Sequence, residues 1–269
     1  MRIEETNKSH RVIGKNTPLV SILMPVYNRE AFIARSIESV ISQNYQNIEI
    51  IIVDNCSSDN TLDICMTYAN IYSQIKVFKN NSNIGCIANL LQCNKYSSGE
   101  YVQYLFSDDE IRFDYVGRCV QRLKDESIGF VLTGVLIKKN ECSKLVTWSK
   151  KSQSISSQNY IDNVLHYSYA SGTPGNAMFR AKDIESSLFI TIKEHENFKL
   201  KCRGAGNDVF MMLSIASKYT RIGTISDPLA TFGTPDDSIS MSFSKEDYDN
   251  YRFCYNLAKL SFLKSKGSL

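Results

Sequence analysis

Residues 19–30 read LVSILMPVYNRE, an apolar run from Leu19 to Val26 that breaks at Pro25, Tyr27 and Asn28. So short an apolar stretch, closed by turn formers, predicts a strand. Behind it, Ile33, Ile37, Val40 and Ile41 recur at helical spacing. The pair then repeats. Ile48 to Val53 (IEIIIV) predicts a second strand broken at Asp54-Asn55, and Leu62, Met66 and Ala69 mark a second helix that Asp59 or Asn60 can cap. Ile75 to Phe78 is a weaker third strand, Ile87 with Leu90 and Leu91 a third helix, and Tyr101 to Phe106 a fourth strand ending at Ser107-Asp108-Asp109. Such alternation predicts an α/β fold with a mostly parallel central sheet covered by helices on both faces.

Beyond a helix at Val116 to Lys124, the runs Ile128 to Ile137 and Leu145 to Trp148 predict an antiparallel pair turning at Lys139 to Ser143. The rhythm then changes. Residues 150–207 are Ser-rich, Gly-rich and charged, as loops with short helices would be. Asp208 to Ala216 predicts a helix and Arg221 to Ile225 a short strand. Tyr248, Tyr251, Tyr255, Ala258 and Phe262 then give a last helix an apolar, aromatic face that packs on the domain.

The chain has 269 residues, 43% hydrophobic and 22% charged, with 13 Gly and 5 Pro, which excludes fibrous and wholly disordered classes. Its 31 basic and 28 acidic residues leave a net +3, which announces no nucleic-acid partner. Eight Cys without a C-x-x-C pair, several within apolar periodic stretches, predict free thiols in a reducing cytoplasm. The opening residues, MRIEETNKSHRVIGKNTP, carry no apolar signal core, and residues 1–17 predict a mobile arm. The sequence has no apolar run long enough to span a membrane, so a cytoplasmic protein is expected.

Ligands of open parallel sheets bind beyond the carboxyl ends of the strands. The residues there are Tyr27 and Asn28, Asp54 and Asn55, Asn81 to Asn83 with Gly85, and Asp108 with Asp109. Clustered carboxylates repel one another and phosphate, unless they bond base or ribose hydroxyls or share a divalent cation with the phosphates. There is neither a G-x-G-x-x-G after the first strand nor a P-loop, so a diphosphate held here needs a metal bridge. The pattern predicts nucleotide-sugar chemistry; the competing reading of Asp108, Asp109 and Glu110 is a solvated acidic turn.

PVYNRE (25–30), VDNCSSDNT (53–61), NSNIG (81–85), SSGEYVQYLFSDDE (97–110) and GND (206–208), in this order and spacing, resemble family 2 glycosyltransferases of the GT-A fold. The likeness covers about residues 18–240. It implies transfer of a hexosyl or N-acetylhexosaminyl group, with inversion, from a nucleotide-diphosphate sugar to a glycan or lipid-linked acceptor. The setting implied is bacterial surface-polysaccharide assembly of O-antigen or capsule type. It further implies a catalytic domain over 18–240, with a nucleotide-binding half (18–125) and an acceptor-side half (126–240), followed by a C-terminal helix (241–269). The implied donor site is Pro25, Val26, Tyr27, Asn28, Glu30, Asp54, Asn83, Gly85 and Asp108. Within it, the backbone around Val26 to Asn28 and the Asp54 carboxylate hold the base, and Asp108 contacts ribose or sugar. Asp109 is the implied ligand of Mn²⁺ or Mg²⁺.

Many members open the acid motif with Asp where Ser107 stands, and carry a His before a Ser-Ile-Ser segment where this chain reads ATFGTPDDSIS (230–240). Inverting transfer needs a base for the acceptor hydroxyl. The resemblance aligns Asp208 with the family's acceptor-side acid, whereas the residues alone favour a helix cap there. SGTPGNAMFR (171–180) would bring backbone amides close to a sugar or phosphate, or is an ordinary loop. Trp148 stacks on a sugar or packs, and neither His166 nor His195 has a ligand-spaced partner. Arg252, Lys259, Lys264 and Lys266 near aromatics allow peripheral contact with an anionic leaflet. The rival functions are a non-catalytic sugar-nucleotide binder and a sugar-phosphate nucleotidyltransferase.

Overall fold

The computed structural model describes residues 17–139, 142–167, 172–187, 206–234 and 245–267. The arm up to residue 16, His195, Cys202, the boundary at 240 and the segment from residue 235 to Ser240 lie outside the described residues, as does the Tyr248 side chain.

Four strands, β1 (Val20–Val26), β2 (Ile48–Asp54), β3 (Ile75–Lys79) and β4 (Tyr101–Tyr104), alternate with helices α1 (Ile33–Ile41), α2 (Thr61–Ile71) and α3 (Cys86–Tyr96). After the short β5 (Glu110–Ile111) come α4 (Tyr115–Leu123), β6 (Ile128–Lys139) and β7 (Cys142–Val146). The chain continues through β8 (Gln153–Ser156), α5 (Ser157–His166), β9 (Ala177–Arg180) and the one-turn helix α6 (Ala181–Ile184). It ends with α7 (Asn207–Ala216), β10 (Arg221–Gly233) and α8 (Lys245–Ser265).

These strands form one sheet ordered β3-β2-β1-β4-β9-β6-β10-β5, with β7 beside β6 and β8 beside β10. The first four strands run parallel; β9 is antiparallel to both its neighbours, and β6 and β10 are parallel to each other. Alternate residues of one strand feed opposite faces, as the period of two demands. Ile22, Met24 and Val26 join the core under α1 and α4, while Leu23 joins Ile51, Val53 and the residues of α3, α5, α7 and α8. Both faces of the sheet are therefore covered.

The expected β6–β7 antiparallel pair is present. The predicted short strand at Arg221 to Ile225 is instead the first part of the longer β10. Pro228 lacks an N–H, and the ladder with β6 accommodates it through register shifts between Ile225 and Ala230. Gly134 lies opposite, where a Cβ would stand 2.6 Å from the Ser226 carbonyl oxygen.

The expectation of wholly free thiols is corrected at one position. Cys56, Cys65, Cys86, Cys93 and Cys119 are free, but Cys254 is disulfide-bonded. Pairing depends on which segments the fold brings to α8, which spacing along the chain does not encode.

At the sheet's other edge, Glu49 ties the parallel strands together. Its carboxylate accepts from Ser21 Oγ (2.6 Å), Lys76 Nζ (2.9 Å) and both the amide and hydroxyl of Ser98. Burial pushes the Glu49 pKa up, but these bonds together outweigh it and hold it below the ordinary value. A lowered folded-state pKa contributes stability above the unfolded pKa that is lost as pH falls through the folded one. Glu49→Gln is expected to cost about 1–3 kcal/mol at neutral pH and progressively less in acid. Urea unfolding at two pH values checks this; a penalty that does not change with pH would refute the electrostatic account.

Candidate active site

The register pairs Val26 of β1 with Asp54 of β2 and Leu23 with Tyr104 of β4, so these parallel strands end on one edge. The turns that follow are laced together. Asn28, at φ 50°, donates its amide to Ser57 Oγ (3.0 Å) and accepts at Oδ1 from the Ser58 amide (2.9 Å). The Arg29 amide donates to Thr61 Oγ1 (2.7 Å) and the Glu30 amide to Asp59 Oδ2 (3.1 Å). Glu30 Oε2 accepts from the Asn60 amide and side chain, so this carboxylate is engaged at the start of α2. Asp59, expected as a cap, accepts at Oδ1 from the Thr61 amide (3.0 Å). Tyr27 stands 43% exposed above these turns.

Asp54 is fully buried; its Oδ2 accepts from the Ser57 amide (3.0 Å), while Oδ1 has no hydrogen-bond partner among the described residues. A buried carboxylate oxygen left unmatched is costly and marks where a ligand N–H or O–H would bind. Next to it runs a chain of asparagines. Asn55 Nδ2 donates to Asn83 Oδ1 (2.8 Å), Asn80 Nδ2 donates to Asn55 Oδ1 (3.0 Å) and to Asn89 Oδ1 (2.8 Å), and Asn89 Nδ2 donates to the Val53 carbonyl. Asn83 Oδ1 also accepts from the amide of Gly85, whose φ of 85° admits the turn into α3. Asn83 and Gly85 are thus tied to Asn55, the residue that follows Asp54.

The acid loop after β4 is held from several sides. Ser36 Oγ, buried in α1, donates to the carbonyls of Ser107 (2.9 Å) and Asp109 (2.6 Å). Arg35 Nη2 donates to the Asp108 carbonyl (3.0 Å), and its Nε lies 3.5 Å from Glu110. The Gly233 amide, at the end of β10, donates to Asp109 Oδ1 (3.1 Å), and a Cβ on Gly233 would lie 2.5 Å from the Asp108 carbonyl oxygen. Asp109 is only 6% exposed, which excludes the solvated-turn reading. Burial first, then the adjacent Asp108 charge, push its pKa well above the ordinary value. Asp108 beside it is half-buried.

In the second half of the sheet, Gly206, at φ 88°, occupies the N-cap of α7 without a side-chain cap bond. Asp208 therefore sits inside the first turn rather than at the cap, which corrects the capping reading. Its Oδ2 accepts from Tyr255 Oη on α8 (2.8 Å), and its buried Oδ1 has no hydrogen-bond partner among the described residues. Burial pushes the Asp208 pKa up, opposed chiefly by the Tyr255 bond.

Thr173 and Asn176 close a capping box around residues 174–176, and Gly175 packs against Phe106 and Phe232, whose rings leave its Cβ position 3.3 Å of clearance. Trp148 packs on Tyr160, with ring centroids 4.9 Å apart. Lys259 is corrected as a membrane-facing residue: it is 8% exposed, with Nζ donating to the Leu165 carbonyl. Sequence reading passed over Ser36, Arg35, Gly233 and the polar use of Tyr255. Ser36 alone left a signal, as a hydroxyl on the apolar face of α1.

Residues 21–188 match the family model described as Glycosyl transferase family 2. The chain belongs to that family. EpsE of Bacillus subtilis, named as a glycosyltransferase, is 42% identical over 93 residues, 34% of each chain. TuaG of the same species, named for teichuronic acid biosynthesis, is 34% identical over 117 residues, 44% of this chain and 46% of its own. A glycosyltransferase of Haemophilus influenzae is 28% identical over 249 residues, 86% of this chain and 90% of its own. The aligned part thus spans less than half of EpsE and of TuaG. S. aureus TarS, solved with UDP-GlcNAc, superposes with a TM-score of 0.67 at 17% identity, over 88% of this chain and 65% of that one. The mannosyltransferase PcManGT from Pyrobaculum calidifontis, solved with GDP-Man and Mn²⁺, gives 0.57 at 15% identity, over 94% and 76%. At such identities the likeness establishes the GT-A fold and leaves substrate to the site.

Asp208 is thus carried on a helix that starts from a glycine with no room for a side chain. A Cβ on Gly206 would lie 2.7 Å from the Cys254 carbonyl oxygen, on top of the cost of its positive φ. Gly206→Ala is expected to lose about 1–3 kcal/mol. A urea midpoint equal to wild type would show that α7 and α8 do not depend on this contact.

Proposed function

We propose that this chain transfers a sugar from a nucleotide-diphosphate donor to a glycan or lipid-linked acceptor, with inversion, in surface-polysaccharide biosynthesis. The observation that carries the proposal is the buried, unpartnered Asp54 Oδ1, on the sheet edge where Asp108 and Asp109 also emerge. Pro25, Val26, Tyr27 and Asn28 form the donor side of the crevice with Asn83 and Gly85. Asp54 Oδ1 accepts an N–H from the base, and Glu30 supports the turn from behind through Asn60. Asp108, the more accessible of the adjacent acids, contacts ribose or sugar.

A divalent cation, Mn²⁺ or Mg²⁺, fits the donor set on chemical grounds, since adjacent carboxylates offer the hard oxygens such ions prefer. Asp109, with Asp108 beside it, would hold the ion. Among the described residues no group of three or more His, Cys, Asp or Glu is placed to hold a metal, so the donor's phosphates would complete its ligands. When bound, it would neutralise charge on the departing diphosphate.

Asp208 takes the proton from the acceptor hydroxyl as that oxygen bonds to the anomeric carbon and the bond to the diphosphate breaks. A base whose pKa is raised by burial is ionised only above the ordinary carboxylate range, so turnover is expected to rise with pH through that raised value. No described helix is long and apolar enough to cross a membrane. Contact with an anionic leaflet is proposed through the exposed side of α8, where Arg252, Phe253, Leu260 and Lys264 lie, and through Lys266 just beyond its end.

Asp54→Asn replaces an acceptor oxygen with an N–H₂ and is expected to weaken donor binding at least about tenfold. Asp208→Asn should bind donor normally yet lose transfer by about 10² or more. Both are read by calorimetry and by nucleoside-diphosphate release with UDP-glucose, UDP-GlcNAc and GDP-mannose. Normal donor affinity in Asp54→Asn would remove the proposal's basis, and pyrophosphate release from a nucleoside triphosphate would indicate nucleotidyl transfer instead. Flotation with phosphatidylglycerol vesicles at low salt should carry the wild-type protein and lose it at high salt; protein staying in the soluble fraction rejects the leaflet contact.

A further inference from the structure

The geometry points to Tyr255, on the C-terminal helix, as the positioning residue of Asp208: its hydroxyl holds one carboxylate oxygen and leaves the other free to take the acceptor's proton. The catalytic half of this inference rests on the reading of Asp208 as the base. Tyr255 Oη donates to Asp208 Oδ2 at 2.8 Å, and Tyr251 Oη lies 2.9 Å from Tyr255 Oη. A phenol has a single O–H to give. Because that of Tyr255 goes to the carboxylate, the bond between the tyrosines runs from Tyr251 to the Tyr255 oxygen. The chain therefore has one direction, Tyr251 to Tyr255 to Asp208 Oδ2, and it leaves Asp208 Oδ1 as the unpartnered oxygen.

The surroundings pack closely around this arrangement. The Tyr251 and Tyr255 rings are 4.7 Å apart, tilted by 32°. Between them in the chain, buried Cys254 is disulfide-bonded and its carbonyl oxygen closes over Gly206, two residues before Asp208. The titratable groups that bear on Asp208 are Tyr251 and Tyr255 from α8 and Tyr160 from α5, all neutral at physiological pH. Lys259, a turn beyond Tyr255, is directed to the Leu165 carbonyl. Asp183 of α6 and Lys218 pair with each other past the far end of α7, roughly 15 Å along the axis from Asp208 at 1.5 Å per residue. Among these neighbours, only the Tyr255 hydroxyl is seen to hydrogen-bond the carboxylate through its side chain.

Removing that donor raises the Asp208 pKa further, because the bond favours the charged form. A carboxyl whose folded-state pKa lies above its unfolded value destabilises the fold as pH rises through the folded value. Tyr255→Phe keeps the buried ring and loses only the bond. Its melting temperature should fall increasingly below wild type as pH is raised from about 4 to about 8. In an Asp208→Asn background the same substitution should cost an amount independent of pH. Nucleoside-diphosphate release from UDP-glucose, UDP-GlcNAc and GDP-mannose should show an acid limb of kcat moved upward in Tyr255→Phe. At neutral pH kcat should be down about tenfold with donor KM unchanged.

A pH-independent melting difference in the otherwise wild-type chain would overturn the inference, since it would mark Tyr255 as packing alone. Wild-type turnover in Asp208→Asn would instead retire the base reading, and the catalytic role of Tyr255 with it. Inactive Asp208→Asn beside a wild-type kcat profile in Tyr255→Phe would retire only the positioning role. Should Tyr255→Phe fail to fold, Tyr251→Phe leaves the bond to Asp208 in place but removes the donor behind it. It is expected to shift the same profile in the same direction by less, and no shift counts against the chain of bonds.

Discussion

The parallel register of β1 between β2 and β4 is the constraint from which the site follows. Because β1 is buried on both faces, its alternate residues serve different cores, and a slip of one residue would exchange them. The register is thereby specified by packing, and Glu49 stitches the strand starts to one another at the opposite edge. With the starts aligned, Val26, Asp54 and the residues after Tyr104 come out together. Acids that the chain separates by some fifty positions then end or follow strands that finish on one edge of the sheet.

Bringing acids together costs energy, and the fold meets that cost mainly with backbone and neutral donors. Asp54 is held by an amide, Asp109 by the amide of Gly233, and the carbonyls of the acid loop by Ser36 and Arg35. Arg35 is the one cation among these partners, and its charge does not outweigh burial and Asp108, which keep the Asp109 pKa raised. A site in that state is prepared for a cation or for ligand hydroxyls, either of which relieves the repulsion. The close approach of Gly233 also joins the two halves of the sheet, since β10 reaches the loop that follows β4.

The second half of the sheet carries α7 and α8 on the face shared with α3 and α5. There the aromatic stripe of α8 does what its spacing predicts and packs on the domain: Ala258 and Phe262 belong to the core, with Tyr255 against it. Packing and polar chemistry coincide in Tyr255, whose ring is in the core and whose hydroxyl reaches Asp208. The same helix corrects two sequence expectations, because Cys254 is paired and Lys259 faces inward.

The sequence by itself determined the α/β alternation, the parallel first half, the strand-end positions of Asp54, Asp108 and Asp109, and the family. Hydrophobic period and strand-terminating polar residues are local properties, and the quoted blocks are contiguous, so both survive in one dimension. Only the tertiary structure decided which of these groups are buried, which oxygens remain without a partner, and what holds them. Ser36, Gly233 and Tyr255 lie tens of residues from the acids they contact, on elements whose own patterns read as helix face, strand end and aromatic stripe. Long β10 likewise emerged only on folding, because Pro228 signals a break along the chain and only a partner strand such as β6 can absorb it as a bulge.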